Sequence, residues 1–246
     1  MTKSQTALVA GGTGGLGEGI VKVLLEAGWT VYVPILETAG GEKLKAFTAA
    51  VAGDRLHCVK TDLSIPAEVA GLKAAIYKSG LALDLVVVSV GGSYYGKSLH
   101  KIELPEWNKL LTENLATHFN LQHEFMDYFH AQNRGTYVTM IGPEADFVDM
   151  EIGLLSVFAA SQKMISRVAA IEAAGSGVRV YSITSKTPLA TRERSEQKVN
   201  DWIQPIDVGL YIKSLYEGLV AGKAETMHVL ESRGSLRKLL NLPKDA

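Results

Sequence analysis

Short apolar runs alternate along this chain with longer stretches whose apolar residues recur every three or four positions. The runs Ala7–Ala10, Thr30–Leu36, Leu56–Val59, Leu83–Val90, Gly135–Ile141, Val178–Thr184 and Met227–Leu230 predict strands. Leu83–Val90, rich in Val and Leu, has the near-continuous apolar character of a parallel strand buried on both faces. Gly17–Ala27 carries Ile20, Val23, Leu24 and Ala27 at helical spacing and stops at Gly28. Gly41–Ala52, Pro66–Ser79, Pro105–Asn133, Gly153–Ala174 and Val208–Val220 read as further helices, with 105–133 as one unbroken stretch. This strand–helix rhythm predicts a doubly wound α/β fold, a parallel sheet covered by helices on both faces. No linker, repeat or low-complexity tract interrupts it, so residues 1–246 are expected to form a single domain. The polar, charged segment Thr187–Asp201, between a strand and a helix, is the candidate lid.

Composition narrows the picture mainly by exclusion. The 246 residues are 47% hydrophobic, enough for a sizeable core, and 25 basic against 26 acidic residues leave a net charge of −1. That balance predicts no binding to nucleic acid and none to an anionic membrane surface. Cys58 is the only cysteine, which excludes a disulfide framework and a thiolate metal cluster. Met1–Thr6 is short and polar, Ala7–Ala10 is too brief for a secretory signal, and no apolar run approaches a membrane span. A cytoplasmic protein is the expectation.

Chemistry first shows in the turn after the first strand. Six glycines fall within residues 11–19, between an apolar strand and an amphipathic helix. A helix N-terminus offers free backbone N–H groups and the positive end of its dipole to an anion, and a pyrophosphate reaches them only where side chains are absent. The position and context predict a dinucleotide site on a Rossmann-type sheet; the alternative is a glycine turn that binds nothing.

From here the chain resembles the short-chain dehydrogenase/reductase family, over nearly its whole length and especially that family's ketoacyl reductases. The family's glycine motif corresponds to Ala10-Gly11-Gly12-Thr13-Gly14-Gly15-Leu16-Gly17, and its adenine-side aspartate to Asp62 in Thr61-Asp62-Leu63. Its Asn-Asn-Ala-Gly falls on Val88-Ser89-Val90-Gly91, where only the glycine matches. Trp107 to Asn114-Leu115, Gly177-Val178-Arg179-Val180 and Glu225-Thr226-Met227-His228-Val229 also resemble it. The resemblance implies that NAD or NADP binds at Gly11, Thr13, Gly14, Gly15, Leu16, Ile35, Asp62, Leu63, Ser89, Val90 and Gly91. It further implies an unknown small-molecule substrate and association through the two long helices. The assembly would be a homo-oligomer (dimer or tetramer) or a hetero-oligomer with an active paralogue.

The departures lie at the chemistry. No tyrosine in the chain is followed four residues later by a lysine. Counting back from Ile165-Ser166-Arg167 at the family's spacing places its catalytic Ser, Tyr and Lys on Gly142, Leu155 and Ala159. A shifted alignment puts Tyr and Lys on Phe158 and Gln162 and is no better. Asn114 alone of the family's catalytic tetrad is retained. In the family the Tyr hydroxyl protonates the carbonyl oxygen, the Lys lowers the phenol's pKa from about 10, and the Ser hydrogen-bonds the developing oxyanion. The candidates for replacing them are Tyr94, Tyr95, Glu144, Asp146, Asp149 and Lys186, all near the strand carboxyl ends; each could instead be a packing aromatic or a solvated loop charge. His118 reads as a packed helix residue, His123, Glu124 and His130 form no metal-ligand pattern, and Lys163 is rotated away from the missing lysine. Cofactor type stays open: Ile35 stands where an acid would select NAD, Gly14 where a base would favour NADP, and Glu37 is two residues late. Two readings result: a divergent oxidoreductase with a non-standard proton donor or a non-redox reaction, and a non-catalytic nucleotide sensor or partner subunit.

Overall fold

The computed structural model describes residues 5–148, 151–194, 201–220 and 225–243. Seven strands form one sheet: β1 (Thr6–Ala10), β2 (Thr30–Ile35), β3 (Leu56–Lys60), β4 (Leu85–Val88), β5 (Gly135–Met140), β6 (Val178–Ser185) and β7 (Met227–Leu230). All pairs are parallel, in the order β3-β2-β1-β4-β5-β6-β7. The chain runs outward from β1 to β3 and then crosses to place β4 on the other side of β1. The crevice above this reversal, at the strand carboxyl ends, is where such sheets bind ligands.

The period-two alternation of strands sorts side chains into two cores. Ala7, Val9, Val31, Val33, Leu85 and Val87 face one layer, α1 (Gly15–Glu26), α2 (Thr38–Ala52) and α7 (Pro205–Tyr216), where Ile20, Leu24, Leu44, Val208 and Ile212 cover them. Leu8, Ala10, Tyr32, Val86 and Val88 face the opposite layer. There α3 (Pro66–Lys78), α5 (Thr117–Gln132) and α6 (Gly153–Glu172) supply Val69, Leu72, Ile76, Leu121, Phe125, Phe129 and Ala169. Apolar burial on both faces fits the central strands, where β4 is all Leu and Val and β1 carries only Thr6 as a polar residue.

Several boundaries differ from the sequence expectation, α7 at both ends and others by one to three residues. The stretch 105–133 is not one helix: α4 (Leu104–Leu111) and α5 are joined by a π-helical turn at Thr112–Ala116. The Thr117 N–H reaches back to Thr112 O, five residues away. Side chains support the widened turn, since Asn114 Nδ2 donates to Leu110 O at 3.1 Å and Thr117 Oγ1 to Glu113 O at 2.8 Å. The fourth strand stops at Val88; Ser89 keeps one backbone hydrogen bond to Ala10 of β1, and Val90 and Gly91 lie beyond the sheet. A short helix α8 (Arg233–Leu239), held by a Ser232/Ser235 capping box, has no counterpart in the apolar pattern.

The 20-residue α6 is apolar enough (mean hydropathy 1.3 over its best window) to cross a membrane by length and composition alone. Lys163 and Arg167 interrupt it, so it is not a continuous apolar run. Its apolarity serves packing on one side, where Leu154, Phe158, Ala159, Ser166 and Ala169 are buried. Val157, Met164, Val168 and Ile171 remain exposed on the other side.

Candidate functional site

The turn after β1 is built by sterics. Gly11 has φ +83°, and a Cβ there would run into the Ser89 carbonyl oxygen; the Ser89 N–H in turn donates to Ala10 O at 2.9 Å. Gly14 is the extended N-cap of α1 and Gly15 its first residue, so the start of α1 presents backbone N–H groups with no side chain at those two positions. Thr13 lies at the base of the turn, against Gly40.

Beside this turn a cleft of about 600 Å³ opens at the strand carboxyl ends. Leu16, Ser89, Val90 and Gly91 line one part of it; Asn114, Gly142, Leu155, Ala159 and Gln162 line another. Four positions far apart in the chain, those matching the family's Asn, Ser, Tyr and Lys, thus meet in one cavity. Phe158 is not among them: it is 1% exposed and packs on Trp107 at 5.2 Å between ring centroids, in a small core with Leu110 and Leu154. The shifted alignment is therefore the poorer one for the tyrosine position.

Asn114 is buried in the π-turn, and a Cβ on Gly91 would meet its Oδ1 at 2.8 Å. Its backbone carbonyl accepts from Gln162 Nε2. Gln162 follows Ala159 by three residues, so it lies on the same helical face and reaches past that small side chain. His118, one turn after Asn114, directs Nε2 to Val90 O at 2.8 Å. A carbonyl can only accept, so Nε2 carries the proton. Burial pushes this imidazole down from 6.5 to about 4, against the raising effect of that hydrogen bond. It is the packed, neutral residue expected.

The candidate replacement groups separate sharply. Glu144 is in the cleft, and its carboxylate folds back over Gly142 into the volume a side chain there would fill. Tyr94 packs against the core with Trp107 and Leu111, and Tyr95 bonds Glu151; neither lines the cleft. Asp146 pairs with Lys163. Lys186 lines the cleft but pairs with Glu231 at 2.9 Å. Asp149 lies outside the described residues.

The remaining predicted positions flank the cleft without entering it. Ile35 ends β2 and packs into the first core, and its carbonyl accepts from Thr61 N at 2.9 Å. Asp62 Oδ1 accepts from the backbone and hydroxyl of Ser64 at 2.9 and 2.6 Å, while Leu63 packs into the second core. Glu37 is exposed at the start of α2. No group of three or more potential metal ligands occurs among the described residues.

The segment expected to be a lid folds inward as far as it is described; residues 195–200 lie outside the description. Thr187, Pro188 and Leu189 line the cleft. Beyond them Thr191 and Glu193 sit directly against Gly15, where a Cβ would collide with both. Arg192 donates to Thr13 O at 3.0 Å and pairs with the buried Glu18 at 2.7 Å. Sequence patterning does not single out Arg192 or Glu193, because the contact joins residues 179 positions apart and no local periodicity marks it.

A doubly wound parallel sheet, a glycine turn at its strand-order reversal and a cleft beside that turn define a Rossmann-type protein. Residues 5–201 match the short chain dehydrogenase family model. The chain belongs to the short chain dehydrogenase family. It is 32% identical over 136 residues to an uncharacterized oxidoreductase of Schizosaccharomyces pombe, covering 55% of this chain and 51% of that protein. It is 24% identical over 209 residues to the D-beta-hydroxybutyrate dehydrogenase of Rhizobium meliloti, covering 79% and 76%. The chain spans about half the length of the first two curated relatives it matches. Among solved structures, ElxO with NADP bound superposes with a TM-score of 0.80 at 15% identity, over 96% of this chain and 99% of that one.

Proposed function

We propose that this protein binds a nicotinamide dinucleotide, NAD or NADP, across the glycine turn and the adjoining cleft, and acts on a small molecule without the family's Ser, Tyr and Lys. The observation that carries this reading is the continuity of the cleft: Leu16 and Ser89–Gly91, next to the turn, share it with Asn114, Gly142, Leu155 and Ala159. The turn fits a phosphate on its own evidence. A side-chain-free helix start is already covered by an anion, the Glu193 carboxylate, which stands where a phosphate would. Gly11, Thr13, Gly14, Gly15 and Leu16 would hold the phosphates, Asp62 and Leu63 would lie on the adenine side, and Ser89, Val90 and Gly91 would follow the ribose. When bound, such a group exchanges hydride with a substrate carbon. Leu155 and Ala159 exclude water, and the Asn114 amide and the Glu144 carboxylate, beside other polar groups of the lining such as Ser185, Lys186 and Arg194, would orient a substrate.

A second reading, a non-catalytic nucleotide-responsive subunit, is favoured by Glu193 closing the turn and by the exposed apolar row Val157, Met164, Val168 and Ile171 on α6. That row suits packing against a second copy or a paralogue. Calorimetric titration with NAD, NADH, NADP and NADPH tests the first reading, with Gly15→Trp as control. Binding of at least one dinucleotide, abolished by Gly15→Trp, is expected. Absence of binding by the wild type, or equal binding by the variant, refutes it. A carbonyl and amine substrate panel then separates the two readings.

A further inference from the structure

We infer that Glu144 is the substrate-recognition group of the cleft, and that the substrate presents to it a cationic nitrogen, an iminium or the corresponding amine, rather than a carbonyl. This rests on the proposed dinucleotide site and names the substrate class for it. Three observations support it. The Glu144 carboxylate occupies the space over Gly142, a placement that any side chain at 142 would block. The loss of the hydroxyl residue at 142 and the arrival of a carboxylate are therefore one change: an oxyanion-binding donor has been exchanged for an anion. Among the described residues Glu144 has no hydrogen-bond or ion-pair partner, although it lines the cavity and is half-buried.

The rest of the lining agrees. At the positions matching the family's Tyr and Lys, Leu155 and Ala159 hold no proton, and the Gln162 amide is spent on the Asn114 carbonyl; of the hydroxyls in the lining, Ser185 donates to Thr187 O, while Ser93 and Thr187 stay neutral donors that leave Glu144 the one carboxylate there. The cations near the cleft do not answer Glu144. Lys186 is tied to Glu231 and Lys163 to Asp146. Arg194 also lines the cleft, but it makes no ion pair with Glu144, and its backbone N–H donates to Thr191 O at 3.0 Å. Arg192 lies on the glycine turn, so a cation stands at that end and the Glu144 carboxylate over Gly142 at the other.

The chemistry of a C=N⁺ bond matches this lining. When hydride adds its electron pair to an iminium carbon, the C=N π pair returns to nitrogen as a lone pair and the positive charge is cancelled. A neutral amine results and no proton is consumed. The same addition to a ketone leaves an alkoxide that has to be protonated, and an ionised carboxylate beside it repels that charge instead of donating. Reduced nicotinamide is the hydride source in this scheme. In reverse, an amine is oxidised to the iminium, whose developing charge Glu144 stabilises.

The test uses N-methyl-dihydroisoquinolinium, a permanently cationic iminium, and tetralone, a neutral ketone of similar size. Binding of each to the full-length protein is read by calorimetry in the absence of nucleotide, and NADPH or NADH oxidation is followed separately. The wild type should bind the iminium at least about tenfold more tightly than tetralone. Glu144→Gln should remove that preference, and Gly142→Ala, which displaces the carboxylate, should do the same. Both variants are first checked for a wild-type Tm. Equal affinity for the two probes, no binding of either, or an unchanged preference in a folded Glu144→Gln variant overturns the proposal. Failure of the dinucleotide reading would appear instead as absent nucleotide binding, with the cation preference still measurable.

Discussion

Removing the Glu193 carboxylate should make the protein less stable and a better nucleotide binder at once. Glu193 covers the first residue of α1, where an anion is favoured by free N–H groups and the helix dipole. Burial opposes its charge, but hydrogen bonds from its own backbone N–H and from the Thr191 and Arg192 side chains outweigh this, and its pKa lies below the usual carboxylate value. An anion at such a terminus contributes about 0.3–1 kcal/mol. The Arg192–Glu193 pair, at 3.2 Å with side chains 45% and 57% exposed, adds at most about 0.5 kcal/mol. A phosphate entering the same place has to displace the carboxylate and give up that energy. Glu193→Ala should therefore lower unfolding free energy by about 0.5–1 kcal/mol and lower the dinucleotide Kd by roughly three- to fivefold. Glu193→Gln, which keeps the shape without the charge, should fall between. Urea denaturation and calorimetric titration on the same samples measure both quantities. Unchanged or weaker nucleotide binding in the Ala variant would refute the competition, whatever happened to stability.

Two further outcomes follow from the same geometry. Restoring the family's residues by Gly142→Ser, Leu155→Tyr and Ala159→Lys should leave ketone reduction near background, because the Glu144 carboxylate, pushed aside by a Cβ at 142, stays an anion beside the developing alkoxide; adding Glu144→Ala should raise turnover over the triple variant by at least about tenfold, and a quadruple variant no faster than the triple would sink the account. His118 is held neutral, its pKa about 4 against 6.5; the unfolded chain takes up this proton first as pH falls, so stability present above pH 6.5 is lost between there and pH 4, by about 3 kcal/mol in full. His118→Gln, which keeps a donor for Val90 O, should flatten that part of the urea-midpoint profile, and parallel profiles would show that His118 does not cause it.

The alternation of apolar runs and amphipathic stretches was enough to read the sheet, because burial on both faces imposes a composition that propensity cannot disguise. Met227–Leu230 was legible to the residue, and Thr30–Leu36 to within one. The glycine turn was legible for a similar reason: Gly11 has no room for a Cβ, so its identity is dictated locally. The family resemblance places its tetrad on Asn114, Gly142, Leu155 and Ala159, and these four positions line one cleft. Other features depend on approaches between distant segments, which no local pattern encodes. The π-turn at Thr112–Ala116 lies in a stretch of ordinary helical periodicity, and it is stabilised in part by Gln162 from another helix. Tyr94 and Tyr95 looked as eligible as Glu144, and only packing turned the first into the core and the second to Glu151. The closure of Arg192 and Glu193 over Thr13 and Gly15 joins opposite ends of the chain. The sequence by itself determined the sheet and its wrapping helices, because those follow from local burial and periodicity. The tertiary structure alone decided which side chains face the cleft, because the Glu144 carboxylate lies over Gly142 only where the backbone of another turn leaves it room.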